Sequence, residues 1–222
     1  MKTLDDLKTL KRKTIGNVEN IHFLFDGPEG EIEALLDVPA NATNNDTICV
    51  ICHPHPLFGG SMTNKVVHYI AKSLNEPGVI TLRFNFRGVG QSQGTHDNAI
   101  GERNDLLSAI DVIHTIYPSK SLWLAGFSFG AYIAFSMSHF ANAQRLITVA
   151  PAVHLYDFSE VELPDCPWLL IQGDQDEIVP PDMTIHWAKN LPRPPDMEII
   201  HNAGHFFHGH LNDLKQVILN HL

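Results

Sequence analysis

One stretch, residues 121–137, constrains the fold of this chain more than any other. It opens with a short apolar run, passes through the pentapeptide Gly126-Phe-Ser-Phe-Gly130, and continues as a small, apolar segment. Buried strand, sharp turn and buried helix are the context of a G-x-S-x-G nucleophile elbow. Because the turn is strained and the two backbones pass close together, a Cβ at either glycine would clash. Ser128 is therefore predicted to be a nucleophile.

A second match to the pattern, Gly90 to Gly94, lacks this context. It follows Arg87-Gly-Val rather than an apolar strand, and the polar residues 95–98 come after it rather than a helix. Ser92 is accordingly interpreted as a loop residue.

Composition restricts the classes of protein to be considered. The chain has 222 residues, 44% of them hydrophobic and 18% charged, which favours one globular domain. A net charge of −10 argues against a nucleic-acid or anionic-membrane partner. No apolar run reaches the length of a membrane span, the N-terminus lacks a secretory pattern, and the cysteine count of three is odd. We expect a soluble cytoplasmic protein, either a monomer or a homodimer.

Periodicity predicts the order of the elements. Residues 1–16, polar with leucines at positions 4, 7 and 10, are expected to be a short amphipathic helix or a frayed arm. The domain proper is placed at 17–222. It begins with a hairpin of residues 21–25 and 31–38, after which apolar strands alternate with helical patterns. That alternation predicts an α/β fold: a doubly wound, mostly parallel sheet of about eight strands with helices on both faces.

The strand at residues 47–53 contains a Cys49-x-x-Cys52-His53 pattern that resembles a haem attachment site. Residues three apart on a strand point to opposite faces, so the two thiols cannot meet at one haem or one zinc ion. The cysteines are interpreted as small core residues.

Two later loops carry groups that could act with the serine. Asp174 and Asp176 follow an apolar strand, and both are candidates for orienting a histidine; Asp176, further into the loop, is favoured. The loop after the final strand offers His205 as a base, following Gly204. Neighbouring histidines at 201, 208 and 210 raise the alternative of a metal cluster, which is disfavoured because no carboxylate or cysteine shares that loop. No metal or organic cofactor is expected.

The chain resembles the α/β-hydrolase superfamily over residues 20–222. It is most similar to small bacterial serine hydrolases related to dienelactone hydrolases and to Xaa-Pro dipeptidyl-peptidase-like domains. The serine, aspartate and histidine occur in the order typical of that superfamily. Unlike dienelactone hydrolases, the chain has serine in its elbow, and its His-Pro-His-Pro loop departs from the His-Gly-Gly-Gly type. The stretches that carry the resemblance are Cys52–Met62, Arg83–Gly94, Gly126–Gly130, Gly173–Asp176 and Ala203–Phe207.

The resemblance implies a Ser128-His205-Asp176 triad. It also implies that the Phe129 N–H binds an oxyanion together with an N–H from the loop after residue 53, where Pro54 and Pro56 have none to give. His55 and Leu57 are the candidate donors.

The implied activity is that of a serine hydrolase, expected to be a carboxylesterase for small, soluble, short-acyl esters. The same scaffold carries thioesterases, lactonases and aminopeptidase-like enzymes, and a non-enzymatic binding module is a further alternative. Between Pro151 and Trp168 the chain has room for one short turn or helix, so a minimal cap or none is expected. The shallow acyl pocket is predicted to be formed by Leu57, Phe58, Val153, Leu155, Tyr156 and Phe158.

Overall fold

Nine strands form one sheet in the computed structural model, which describes residues 8–222. The strands are β1 (Lys8–Ile15), β2 (Val18–Gly27), β3 (Gly30–Pro39), β4 (Thr47–Cys52), β5 (Ile80–Phe84), β6 (Ser121–Phe127), β7 (Arg145–Val149), β8 (Trp168–Gly173) and β9 (Asp196–Ile200). The helices are α1 (Lys65–Asn75), α2 (Gly101–Ile116), α3 (Phe129–Ser138), α4 (Pro181–Lys189) and α5 (Leu211–Asn220). None of the helices in this part of the chain is both long and apolar enough to cross a membrane.

The strand order is β1-β2-β3-β5-β4-β6-β7-β8-β9. The first three strands and the β3–β5 pair are antiparallel, whereas every pair from β5 to β9 is parallel. The predicted hairpin and the doubly wound, mostly parallel sheet are confirmed. The sheet has one strand more than the eight expected, because β1 adds to its edge.

The interpretation of the N-terminal segment as a helix or a frayed arm is wrong from Lys8 onward. Residues 8–15 pair with β2 as an edge strand, with a register shift between Thr9 and Lys11. Leu10 is exposed, so the leucine spacing creates no buried helical face. The edge of β2 offers the backbone hydrogen-bonding partners that a helix would have supplied internally. Leu4 and Leu7 lie outside the described residues.

Apolar side chains fill both faces of the sheet. Along β4, Ile48, Val50 and Cys52 belong to one core, which also contains the buried residues of α2 and α3. Cys49 and Ile51 belong to the other, with the buried residues of α1 and α5. The two thiols therefore face opposite sides of the strand, as its alternation predicts. Burial raises the pKa of both thiols.

The parallel strands bring the chemically important loops to one edge. Ser128 directly follows β6, while Asp176 and His205 lie in the loops after β8 and β9, at the carboxyl ends of these strands. The connection from β7 to β8, residues 150–167, contains turns but no helix or strand, so no lid covers this edge within the described part of the chain. The expectation of a minimal cap or none is confirmed.

Candidate active site

The turn at Ser128 is strained and closely packed. Ser128 has φ 56° and ψ −115°, a conformation that L-residues rarely adopt, and its N–H donates to the Val149 carbonyl over 2.9 Å. A Cβ on Gly126 would lie 2.1 Å from the Gly130 carbonyl oxygen. A Cβ on Gly130 would lie 2.3 Å from the Cys52 carbonyl oxygen. Both positions therefore require glycine, for the reason expected from the sequence.

Three buried side chains form a hydrogen-bonded series at this turn. The Nε2 atom of His205 lies 3.2 Å from Ser128 Oγ, and its Nδ1 atom lies 2.8 Å from Asp176 Oδ2. All three residues are less than a tenth exposed. Because the ionised carboxylate can only accept, it holds the proton on Nδ1 and leaves the Nε2 lone pair facing the serine hydroxyl. This is the arrangement in which an imidazole can take the proton of a serine.

Hydrogen bonds from its own loop fix the carboxylate of Asp176. Its Oδ1 accepts from the N–H groups of Ile178 and Val179, at 2.9 and 2.7 Å, and its Oδ2 accepts from Gln172 Nε2 at 3.1 Å. Burial opposes ionisation, but the hydrogen bond and charge of His205, with the two backbone donors, outweigh it and hold the pKa of Asp176 below its ordinary value. The residue is therefore ionised at neutral pH.

The alternative acid, Asp174, has different partners. It lies at the surface, where its carboxylate accepts from the Asn202 N–H at 2.7 Å and lies 2.8 Å from His201 Nδ1. It thus links the loop after β8 to the loop after β9 without touching His205. Among the described residues no three histidine, cysteine or acidic side chains are grouped to hold a metal ion.

Ser92 is buried in a structural role. Its hydroxyl donates to the Asn85 carbonyl over 2.7 Å and accepts the Glu33 N–H over 3.0 Å. The residue joins the loop after β5 to β3. The structure thus gives the serine of each pentapeptide a different environment, as their sequence contexts predict.

The loop after β4 is held by a buried histidine. His53 Nδ1 lies 2.6 Å from the Pro54 carbonyl oxygen, and its Nε2 accepts the Phe86 N–H over 3.0 Å. This pattern requires a neutral ring with its proton on Nδ1. Burial lowers the pKa of His53 to about 4, although the Pro54 hydrogen bond acts in the opposite direction.

Of the two candidate oxyanion donors in the same loop, His55 and Leu57, the structure gives the Leu57 N–H an acceptor. The Leu57 N–H donates to His55 Nδ1 over 3.2 Å, and the Leu57 side chain is 70% exposed. Its N–H is therefore already engaged. On α3, the Phe129 N–H is the first of the helix and has no acceptor within it.

A cavity of about 490 Å³ opens beside Ser128 and His205. Of the six residues predicted to form an acyl pocket, Phe58, Leu155 and Tyr156 line it. Leu57 does not, and Val153 and Phe158 border a neighbouring groove that shares Leu155 and Tyr156 with the cavity. The side chain of Phe158 is largely buried in the core, with its ring 4.9 Å from Tyr132 and 4.7 Å from Trp187.

Sequence reasoning missed several lining residues. Ile178 lies two residues after Asp176, and Phe206 directly follows His205. Their places in the lining of the cavity could therefore have been predicted from the sequence. His154 had none, because its position depends on how residues 150–158 fold back over the sheet. Burial lowers the pKa of His154, and the charge on His205 lowers it further, against the opposing effect of Asp176.

Comparison with known proteins shows the family to which this fold belongs. Residues 43–163, more than half of the chain, match the Hydrolase_4 family, described as "Serine aminopeptidase, S33". An α/β serine hydrolase homologue from Coxiella burnetii is 41% identical, with a TM-score of 0.86 over 90% of this chain and 96% of that one. A lidless α/β serine hydrolase from Xanthomonas campestris is 39% identical, with a TM-score of 0.87 over 90% and 92%.

A curated Rickettsia prowazekii protein, itself uncharacterised, is 38% identical over 209 residues, which are 89% of this chain and 87% of that protein. The chain belongs to the α/β serine hydrolase family.

His53 makes the stability of the protein depend on pH. Its folded-state pKa of about 4 lies below the ordinary value of 6.5, so the unfolded chain binds more protons between these two pH values. The contribution of His53 to the free energy of unfolding should therefore be fully present above pH 6.5. It should fall as the pH drops towards 4, by at most about 1.4 kcal/mol per pH unit. The free energy of unfolding, measured by urea denaturation across this pH range, should depend less steeply on pH in His53→Asn than in the wild type. An equal dependence on pH in the two proteins would contradict the assignment of His53 as a buried, neutral side chain.

Proposed function

We propose that this serine hydrolase is a carboxylesterase that acts through an acyl-enzyme formed on Ser128. The observation that carries the proposal is the Ser128-His205-Asp176 series of hydrogen bonds beside an open cavity. A nucleophile, a base and a group that orients the base are the minimum set for this chemistry.

Each residue has a distinct role in the proposed reaction. His205 Nε2 takes the proton of Ser128 as the serine oxygen attacks the carbonyl carbon, and then gives that proton to the leaving alcohol. Asp176 keeps the imidazole in the required tautomer and stabilises the imidazolium. The Phe129 N–H and the His55 N–H are assigned to the oxyanion, since the Leu57 N–H is engaged elsewhere. Water then attacks the acyl-enzyme with His205 again as the base; the bond from the acyl carbon to Ser128 Oγ breaks, the acid is released, and His205 returns the proton to Ser128.

The cavity favours an ester over an aminopeptidase substrate. A free α-amino group is a cation, and its recognition in a partly buried site requires a carboxylate or another anionic partner. The residues that line the cavity include no aspartate or glutamate, and most of them are apolar. An uncharged ester with a small apolar acyl group fits this environment better.

Replacement of the two serines should separate the catalytic pentapeptide from the structural one. Ser128→Ala should lower kcat by ~10⁴-fold or more, because only the oxyanion donors and binding remain. Ser92→Ala should lower the free energy of unfolding by about 1–3 kcal/mol, since it leaves a buried N–H and a buried carbonyl without partners, yet preserve kcat in the folded enzyme. Activity per folded molecule, with urea curves for each variant, decides this; activity surviving only in Ser128→Ala would refute the assignment.

The two aspartates form a second matched pair. Asp176→Asn should keep the fold but lose most of kcat, roughly 10⁴-fold in the established triad case, because the amide favours the wrong tautomer of His205. Asp174→Asn should cost far less, since its partners are His201 and Asn202 at the surface. Steady-state kinetics and thermal melts of both variants are the measurement. A larger loss in Asp174→Asn would reassign the acid.

Substrate panels test the bond and its acyl group. The kcat/KM for p-nitrophenyl esters from acetate to palmitate should be greatest at short chains. Each covered methylene contributes about 0.8 kcal/mol, and because no helix or strand of residues 150–167 covers the cavity, the outer part of a long acyl chain would stay in water. Aminoacyl p-nitroanilides should be poor substrates because no carboxylate meets the amino group. A maximum at palmitate, activation by micelles, or faster cleavage of the anilides would overturn this substrate assignment.

A further inference from the structure

A second cavity, of about 800 Å³, lies against the first strands of the sheet, on the side away from Ser128 in the strand order. It shares no lining residue with the cavity beside Ser128. We refer to it as the hairpin cleft. It is bordered by strands β1, β2, β3 and β5 and by α1. Its lining consists of Lys13, Ile15, Asn17, Val18, Asn20, Leu35, Asp37, Pro39, Ala40, Asn41, Thr63, His68, Lys72, Asn75, Glu76 and Arg83.

Strand register explains why these side chains share one face. Ile15 pairs with Val18, which pairs with Pro39, and Lys13 pairs with Asn20, which pairs with Asp37. Paired residues on neighbouring strands point to the same side of a sheet. The alternate residues of β2 and β3 enter the core on the opposite side. The cleft is therefore the outer face of the first three strands, next to the face of α1 that carries His68 and Lys72.

The floor of the cleft contains a buried guanidinium that its neighbours only partly satisfy. Arg83 is 4% exposed, its Nη2 donates to Asp37 Oδ2 over 2.7 Å, and its Nη1 donates to the Met62 carbonyl over 3.3 Å. Its Nε–H is buried without an acceptor. The other oxygen of Asp37 accepts from Asn20 Nδ2. Both oxygens of the carboxylate thus accept hydrogen bonds, while the guanidinium keeps an unused donor.

Two lysines add positive charge to the walls. Neither Lys13 nor Lys72 forms an ion pair with any described residue, although Lys72 lies 5.2 Å from the centre of the Tyr69 ring. Glu76, the second acidic residue of the lining, is already paired with Lys215. The lining therefore has three permanent cations and two carboxylates. The lining of the cleft therefore has an excess of positive charge, whereas the whole chain has a net charge of −10.

The remaining lining consists of five apolar and six uncharged polar or histidine side chains. Ile15, Val18 and Pro39 form one row through their strand pairing, which we call the apolar set, and Ile15 is 56% exposed. Leu35 lies further along β3, beyond Asp37, and pairs with His22 and Arg83. An exposed apolar row beside charged and polar side chains can bind both parts of an amphipathic ligand. We propose that the hairpin cleft binds an organic monocarboxylate. Its carboxylate lies near Lys13, Lys72 and Arg83, and its hydrocarbon part lies on the apolar set.

Titration calorimetry of the full chain with octanoate tests the proposal. Removing two attractive charges in Lys13→Gln/Lys72→Gln should raise the Kd roughly tenfold. The control, Lys65→Gln/Lys189→Gln, makes the same change in net charge at exposed lysines that do not line the cleft, so its Kd should match the wild type. Thermal melts should show that both double variants are folded.

Octanol, which has the same chain without the charge, should bind at least tenfold more weakly than octanoate to the wild type. The cavity beside Ser128 has no lysine or arginine in its lining, so octanoate bound only there would be insensitive to the cleft lysines. Equal Kd values for the two double variants, equal binding of octanol, or no heat of octanoate binding would each overturn the proposal. These outcomes are independent of whether the protein hydrolyses esters.

Discussion

The close approach of α3 to the sheet at Gly126 and Gly130 is the constraint on which the site depends. Each of these positions lies so near a neighbouring backbone carbonyl that a methyl group would overlap it. The helix can therefore begin immediately after β6, and the short turn forces Ser128 to a positive φ. That conformation puts the hydroxyl at the edge of the sheet and the first N–H groups of α3 beside it. Without the two glycines, no side chain at position 128 would occupy this place.

The other reactive groups are held by polar contacts that are themselves buried. The loop after β8 closes on the carboxylate of Asp176 through two backbone N–H groups, and that carboxylate orients His205 from the loop after β9. On the opposite side, His53 links the loop after β4 to the Phe86 backbone. In place of a lid, side chains of these same loops, such as Ile178 and Phe206, surround the cavity. The loops therefore hold both the candidate catalytic side chains and the lining of the cavity.

Much of this arrangement could be predicted from the sequence because its signals are local. The apolar runs, the two glycines and the order of Ser128, Asp176 and His205 determine the parallel sheet and the side chains at its carboxyl edge. Other features depend on distant parts of the chain. Residues 8–15 form a strand because β2 offers a free edge, and Phe158 enters the core because Tyr132 and Trp187 leave room for it. The hairpin cleft depends on the register of four strands, which no local pattern encodes.

We propose that Ser128 is a nucleophile activated by His205. Reaction with a fluorophosphonate, followed by intact mass and peptide mapping, tests it without knowledge of the physiological ester. We expect one adduct per chain, located on Ser128, which forms at a strongly reduced rate in His205→Ala and still forms in Ser92→Ala. Absence of an adduct in the folded wild type, or an adduct on Ser92, would contradict it.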